Sequence, residues 1–326
     1  MPPVEATEAA RYRAVNAWAD TPDLLDPAPR AAGLVRGIDR VRKRGHRFSG
    51  GIVGQRAFQA FANSAGLKAW HRETFAEMHG TVIAGTGSGW AESMGNGAAA
   101  IDATDVAERA LSIAEQAREP ADVAPGRYTL ILQPAAVAEL LLFFVWAGFD
   151  GKATDEGRTF LRGKLGQALV DSRLTLRSDP ADPRCPGSPF QGDGLTSPAL
   201  SWIEKGAVRQ LMDSRFWAKK TGRQATGRPA NLILDGGDES VERMIAGTER
   251  GLLATRFWYV RFVDPMAPTV TGMTRDGLFL IEDGRIVRPV KHLRFNVNLV
   301  EILNQIEAIG SGVRTGERLS IWAPAL

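Results

Sequence analysis

Cysteine is almost absent from this chain of 326 residues, with Cys185 the one thiol. A single thiol excludes an intrachain disulfide framework and a cysteine-rich zinc site. Histidine is nearly as scarce, at His46, His71, His79 and His292, so metal or acid–base chemistry has few residues to draw on. No apolar run is long enough to cross a bilayer. The longest uncharged one, over 140–149, falls well short of the roughly 20 residues a spanning helix needs. The first twenty residues are acidic and amphipathic and lack the apolar segment of a signal peptide, so a soluble, cytoplasmic protein is expected. Neither sign of charge dominates. Lys plus Arg number 40 against 37 Asp plus Glu, and a net charge of +3 does not by itself imply nucleic acid.

What is present is globular in balance: 44% apolar and 24% charged residues, enough chain for one large domain or two ordinary ones. The pattern predicts two N-terminal helices over 7–19 and 29–44, separated by turn signals at Thr21-Pro22-Asp23 and Asp26-Pro27. Strands over 47–53, 57–64 and 67–85 follow, joined by Gly and Asn-Ser turns. In the last, Trp70, Thr74, Ala76 and Met78 share one face, and His71, Glu73, Phe75 and Glu77 the other. A helix over 104–118 is capped by Asp102. The Pro-rich stretch 118–126 reads as a boundary between units 1–122 and 123–326. Beyond it come a strand over 128–133 and a helix over 134–148. That helix opens on Pro134 and is apolar nearly all round, so it is expected to be buried. A short helix is expected over 154–161. The remainder reads as strand-rich: a hairpin turning at 204–206, strands over 231–235 and 253–263, and turns at Asp276-Gly277 and Asp283-Gly284. Short helices are expected over 239–246 and 298–309. The fold class is α+β, with a reduced N-terminal helix and antiparallel-sheet unit and a strand-rich C-terminal unit carrying a few packed helices.

Several chemistries fail on spacing. The segment from Gly157 to Gly163-Lys164 is one residue too long for a phosphate loop and has Leu165 where a hydroxyl is required. Gly85, Gly87 and Gly89 lack dinucleotide-binding spacing and read as a tight turn. No Gly-x-Ser-x-Gly elbow and no His-Glu-x-x-His pair occurs. His71, Glu73, Glu77 and His79 have the same parity and could align on one strand face as a metal site, or simply as a solvated face. The basic run Arg40, Arg42, Lys43, Arg44, His46 and Arg47 has no interleaved aromatics and reads as a solvated helix end. Asp179, Asp182 and Asp193 lie among Pro and Gly as turn formers, without calcium-loop spacing. No histidine lies near Cys185 in sequence to activate it.

A set of stretches in order gives a family resemblance. They are GRYTLILQPAAVAELL from Gly126, GRTFLRGKLGQAL from Gly157, and LTLRSDP. GDGLTSPALSWIEKGAV from Gly192, RFWYVRFVDP from Arg256 and TGMTRDGLFLIEDGRIVRPVKHLRF from Thr271 follow, with ANSAGLKAWHRET over 62–74 upstream. Together they resemble the TldD/PmbA family, in particular its TldE (PmbA) branch. The resemblance implies a zinc peptidase subunit, TldD, that carries His-Glu-x-x-x-His on a helix plus a cysteine ligand, and a TldE partner without that metal set. The corresponding helix here is 134–148. Its approximate counterparts of the metal-binding positions are Leu142, Phe143 and Trp146, with Glu139 the only nearby carboxylate. The expectation is a metal-free TldE-like subunit that shapes the cavity and grips unfolded peptide, with zinc held in a TldD-like partner. Candidate walls are 253–263 and 197–203, with Arg256, Tyr259 and Arg261 as polar contacts. The rival readings are a stand-alone peptide or amide hydrolase of a specialised biosynthetic pathway, with a pocket lined by His71, His79 or Cys185, and a non-catalytic binding protein that homodimerises through the apolar helix. No nucleic-acid or membrane partner is expected.

Overall fold

The computed structural model describes residues 3–21, 24–316 and 320–326, so the turn expected at Pro22-Asp23 lies outside the described residues. The expected helix over 7–19 is replaced by a short 3-10 turn, Ala6–Arg11, and an extended strap. The strap spends its polar groups on tertiary partners instead of on a helix ladder. Thr74 N donates to Ala17 O at 2.9 Å and Ala19 N to Thr74 Oγ1 at 2.8 Å. Asn63 Nδ2 donates to Val4 O at 2.6 Å, Tyr12 hydroxyl to Gly194 O at 2.5 Å, and Arg13 pairs with Asp179 at 2.6 Å. These bonds outweigh a weak local helix preference.

Helix α1 (Pro27–Arg42) starts on Asp26, whose side chain accepts from Ala28 N. A three-stranded antiparallel sheet follows: β1 (Arg47–Ala62), β2 (Lys68–Ala84) and β3 (Gly87–Gly95). The two strands expected over 47–64 are one. Gly54 does not break it but makes room, since a Cβ there would lie 2.1 Å from the Leu24 carbonyl. From Thr74 onward the even face of β2 is buried as patterned, while Trp70 is exposed. Helix α2 (Ala103–Gln116), capped by Asp102 as expected, lies on this sheet. It reads most closely against β3, where a Cβ on Gly87 or Gly89 would come within 2.2 Å of the Ala114 or Ala110 carbonyl. Those glycines therefore sit in a strand and admit a helix backbone, beyond the turn at Gly85 and Thr86. Met78, Val82, Ala91, Val106, Ala107 and Ala110 form the core of this unit.

The second unit opens with β4 (Thr129–Leu132) and α3 (Pro134–Gly148). Helix α4 (Gly151–Asp155) is earlier and shorter than expected, because Asp150 caps it at Ala153 N, 2.7 Å. Then come β5 (Leu176–Ser178), β6 (Leu200–Glu204), β7 (Ala207–Val208), α5 (Arg215–Thr221), β8 (Leu232–Leu234) and α6 (Val241–Ala246). The chain ends with β9 (Arg250–Asp264), β10 (Thr269–Glu282), β11 (Arg285–Pro289), β12 (Arg294–Asn298), α7 (Leu299–Leu303), β13 (Gly312–Thr315) and β14 (Ile321–Pro324). The last helix is thus one short turn of the length expected, bounded by Asn298 as cap and Asn304, whose side chain donates to Val300 O and Leu169 O. One sheet runs β11-β10-β9-β4 with β12 also on β10; the other runs β13-β14-β8-β5-β6-β7.

Helix α3 anchors the main core. Val137, Leu141 and Phe144 are buried among Trp202, Leu252, Leu280 and Ile321, each worth about 2 kcal/mol of burial. The expectation of burial all round fails at Trp146, which is 61% exposed. A third, smaller cluster joins the two units, where Ala117 and Ile113 meet Ile131, Leu253 and Phe279.

Candidate functional site

The parallel pairing of β4 with β9 covers only Gly251–Ala254, and Gln133 N adds one last bond to Ala254 O at 3.0 Å. Pro134 has no N–H to continue it, and the chain turns into α3. From Thr255 to Asp264 that edge of β9 carries no strand among the described residues. A cavity of about 250 Å³ lies between this edge and α3. Ala138, Glu139 and Leu142 line it from the helix, Arg256, Trp258, Tyr259 and Arg261 from β9, and Trp90 and Glu92 from β3. Trp90, Glu92, Ala135 and Thr315 also line a larger cavity of about 1140 Å³, which runs beneath Asn16 and Trp18 of the strap to Arg184, Arg314 and Trp322. The two form one cleft between the units.

Two bulges shape its β9 wall. Asp276-Gly277 was expected as a turn, but β10 runs straight through it. Arg275 pairs with Arg256 and Leu278 with Ala254, so Thr255 alone faces two residues. Asp276 at φ 55° and Gly277 at φ 127° take the positive angles, and Thr255 Oγ1 sits 3.0–3.1 Å from the carbonyls of Arg275, Asp276 and Gly277. The bulge brings the buried Asp276 carboxylate to 2.9 Å from Arg256 Nε. The Arg256 guanidinium is also stacked 4.5 Å from the Trp90 ring centre and 5.4 Å from Trp258, so it is fixed on three sides. The second bulge places Tyr259 at φ 56°. An aromatic residue there costs about 1–3 kcal/mol. Its ring is 66% exposed and carries the Arg261 guanidinium at 4.1 Å. Arg256, Tyr259 and Arg261 thus stand together on one wall. The stretch 197–203 does not: β6 lies inside the six-stranded sheet, away from the cleft.

On the opposite wall Leu142 faces the cavity, while Phe143 is buried edge-on to Phe262 at 5.0 Å and Trp146 lies 6.0 Å from the same ring. A zinc ion needs nitrogen, sulfur or carboxylate donors, and these three side chains offer none. Among the described residues no three His, Cys, Asp or Glu side chains converge to hold an ion. His71 and His79 do not meet. His79 Nδ1 is 3.0 Å from Glu77, whereas His71 is buried with Nε2 3.8 Å from Glu73. Cys185 is buried, and burial pushes its thiol up, the wrong direction for a nucleophile.

The basic run is tied to α2 through Arg40–Glu108, Arg44–Glu115 and His46–Glu115. Asp179 and Asp193 form Asx turns, while Asp182 accepts from Arg184 and Arg177 at 2.7 and 2.9 Å. Sequence reading passes over Trp90, Glu92 and Arg314. The first two belong to a strand that its glycines disguise as a turn; their i, i+2 spacing is the available signal. Arg314 sits in a four-residue strand with no distinctive pattern.

The fold defines an α+β protein of two units that share one cleft. The chain belongs to the PmbA/TldA metallopeptidase family. Residues 20–118 match that family's central domain and 125–326 its C-terminal domain. It is 24% identical over 288 residues to a metalloprotease of Methanothermobacter thermautotrophicus, covering 81% of this chain and 62% of that protein. It is 25% identical over 166 residues to the metalloprotease PmbA of Escherichia coli, covering 48% of this chain and 35% of PmbA. The chain therefore spans less than two thirds of these relatives. The crystal structure of TldE from Thermococcus kodakarensis superposes with a TM-score of 0.84 over 97% of this chain and 78% of that one, at 20% identity, a likeness of fold. No helix among the described residues is long and apolar enough to cross a membrane.

Proposed function

We propose that this chain is a metal-free, TldE-like subunit of a TldD/TldE-type metallopeptidase, and that it grips unfolded peptide while a TldD-like partner holds zinc. The observation that carries the reading is the donor set of α3: Leu142, Phe143 and Trp146, which by the family resemblance are the approximate counterparts of the peptidase branch's metal-binding positions, offer only hydrocarbon and indole, and these cannot hold zinc. The free edge of β9 supports the peptide role. An extended chain laid there would gain backbone hydrogen bonds with little sequence preference, and Arg256, Tyr259 and Arg261 would supply polar contacts. Exposed Trp146 beside that edge supports a second subunit on this side, because aromatic residues of this exposure are common interface anchors.

The test is metal analysis of the purified chain followed by peptide cleavage with and without a TldD-like partner. The expected outcome is less than about a tenth of an equivalent of zinc and cleavage only when both chains are present, since a zinc ion held by the partner would supply the water-activating chemistry that this chain's side chains lack. Stoichiometric zinc in the isolated chain, or peptide turnover by it alone, overturns the reading and favours the stand-alone hydrolase. A stable homodimer that is inactive in every combination favours the binding protein.

A further inference from the structure

Arg314 is a half-buried cation of the cleft that the fold surrounds with neutral acceptors. Arg314, on β13, lines the larger cavity and also a smaller one of about 350 Å³ behind it. Its Nε donates to Ser320 Oγ at 2.8 Å and its Nη1 to Asn96 Oδ1. The guanidinium lies 5.6 Å from the Phe75 ring centre. Three other arginines of the cleft walls are neutralised at short range: Arg109 by Asp105 at 2.8 Å, Arg184 by Asp182 at 2.7 Å and Arg256 by Asp276 at 2.9 Å, while Arg261 is exposed to solvent over the Tyr259 ring. Arg314 has no such carboxylate among the described residues, and Glu73 acts on it only at longer range. Burial pushes its guanidinium down from the ordinary value, as expected where solvent is removed and no anion replaces it. A desolvated charge of this kind is costly until it is paired. The planar fork keeps its second Nη1 hydrogen and its Nη2 hydrogens, so the Nη1–Nη2 edge suits a carboxylate held by two parallel hydrogen bonds.

We propose that Arg314 is the carboxylate anchor of the cleft, binding either the C-terminal carboxylate or an acidic side chain of an extended peptide. The proposal rests on the peptide-gripping reading above and adds the class of peptide preferred. It places the anchor in the larger cavity, which opens into the space beside the free edge of β9, so one ligand can use both.

Three tryptophans, Trp18, Trp90 and Trp322, line the same cavity, so their fluorescence reports occupancy. The whole chain is titrated, alone and with its TldD-like partner, with an unstructured pentapeptide bearing a free C-terminal carboxylate. Its C-terminal amide and the amide with one internal Glu are the comparisons. The acid is expected to bind at least tenfold tighter than the plain amide, with the gap narrowing at high salt. Arg314→Gln is expected to bring the tighter-binding peptide down to within about twofold of the plain amide, and Arg314→Lys to restore part of the gap. If the internal Glu recovers the affinity, the anchored group is a side chain; if it does not, it is the C-terminus. Equal binding of all three peptides by the wild-type protein overturns the anchor alone, as does a preference that persists in Arg314→Gln. Failure of all three peptides to bind overturns the peptide reading with it. Should Arg314→Gln not fold, the wild-type comparison and Arg314→Lys still decide.

Discussion

Asp182 shows how a single residue ties stability to acidity. Its carboxylate accepts from Arg184 and Arg177, and Arg184 also donates its backbone N–H. These bonds, the Arg184 side chain first, hold Asp182 well below the usual carboxylate range. A carboxyl depressed in the folded state contributes stability above its ordinary value near 4, and loses that contribution as pH falls toward the folded value. Asp182→Asn is therefore expected to cost about 1–3 kcal/mol at pH 7 and about 1 kcal/mol less at pH 3, where the unfolded carboxyl is protonated but the folded one is still ionised, measured by urea unfolding at the two pH values. An equal cost at both would mean that the charge is not what matters. Sequence reading assigned this residue to turn formation. The backbone bond bears that out, but the two arginine bonds were invisible because one arginine comes from β5, across the loop.

Helix α3 separates two kinds of apolar residue that look alike in a sequence window. Phe144 is fully buried among Phe149 and Phe160, with ring centres 5.7 and 5.5 Å away. Phe144→Ala is expected to lower stability by about 3–5 kcal/mol. Trp146→Ala is expected to change it by less than about 1 kcal/mol and to weaken association with the proposed TldD-like partner at least tenfold, read by denaturation and by sedimentation of the mixed chains. Unchanged association would remove Trp146 from the interface. Periodicity and caps made α2, α3, β4, β8 and the Asp283-Gly284 turn legible, because each carries its own local signal. The strap, the bulge at Asp276 and strand β3 were not legible. What decides them lies elsewhere in the chain: Thr74 and Gly194 for the strap, Thr255 for the bulge, and the α2 backbone for Gly87 and Gly89. The long strand over 253–263 was legible in the sequence, but β3, which faces it across the cavity, was not.

At the scale of the whole molecule, the two units are held by more than the segment that links them. Residues 124–127 are exposed, whereas Ala121 is bonded to Pro289 and Lys291 and Asp122 pairs with Lys291 at 3.0 Å. A protease site inserted between Pro125 and Gly126 should yield two fragments that still elute together from gel filtration and part only in denaturant, owing to the apolar cluster of Ala117, Ile131 and Phe279. Separation in plain buffer would show that the shared cluster is too weak. The strap, stitched to β2 at Thr74 and to the far unit at Gly194 and Asp179, closes one side of the cleft like basting thread. The halves cannot swing apart in clamshell fashion without ripping those stitches. On the proposed peptide-gripping role, a ligand would therefore enter end-on, by threading, a route that suits slender, unravelled chains and turns away compact globules.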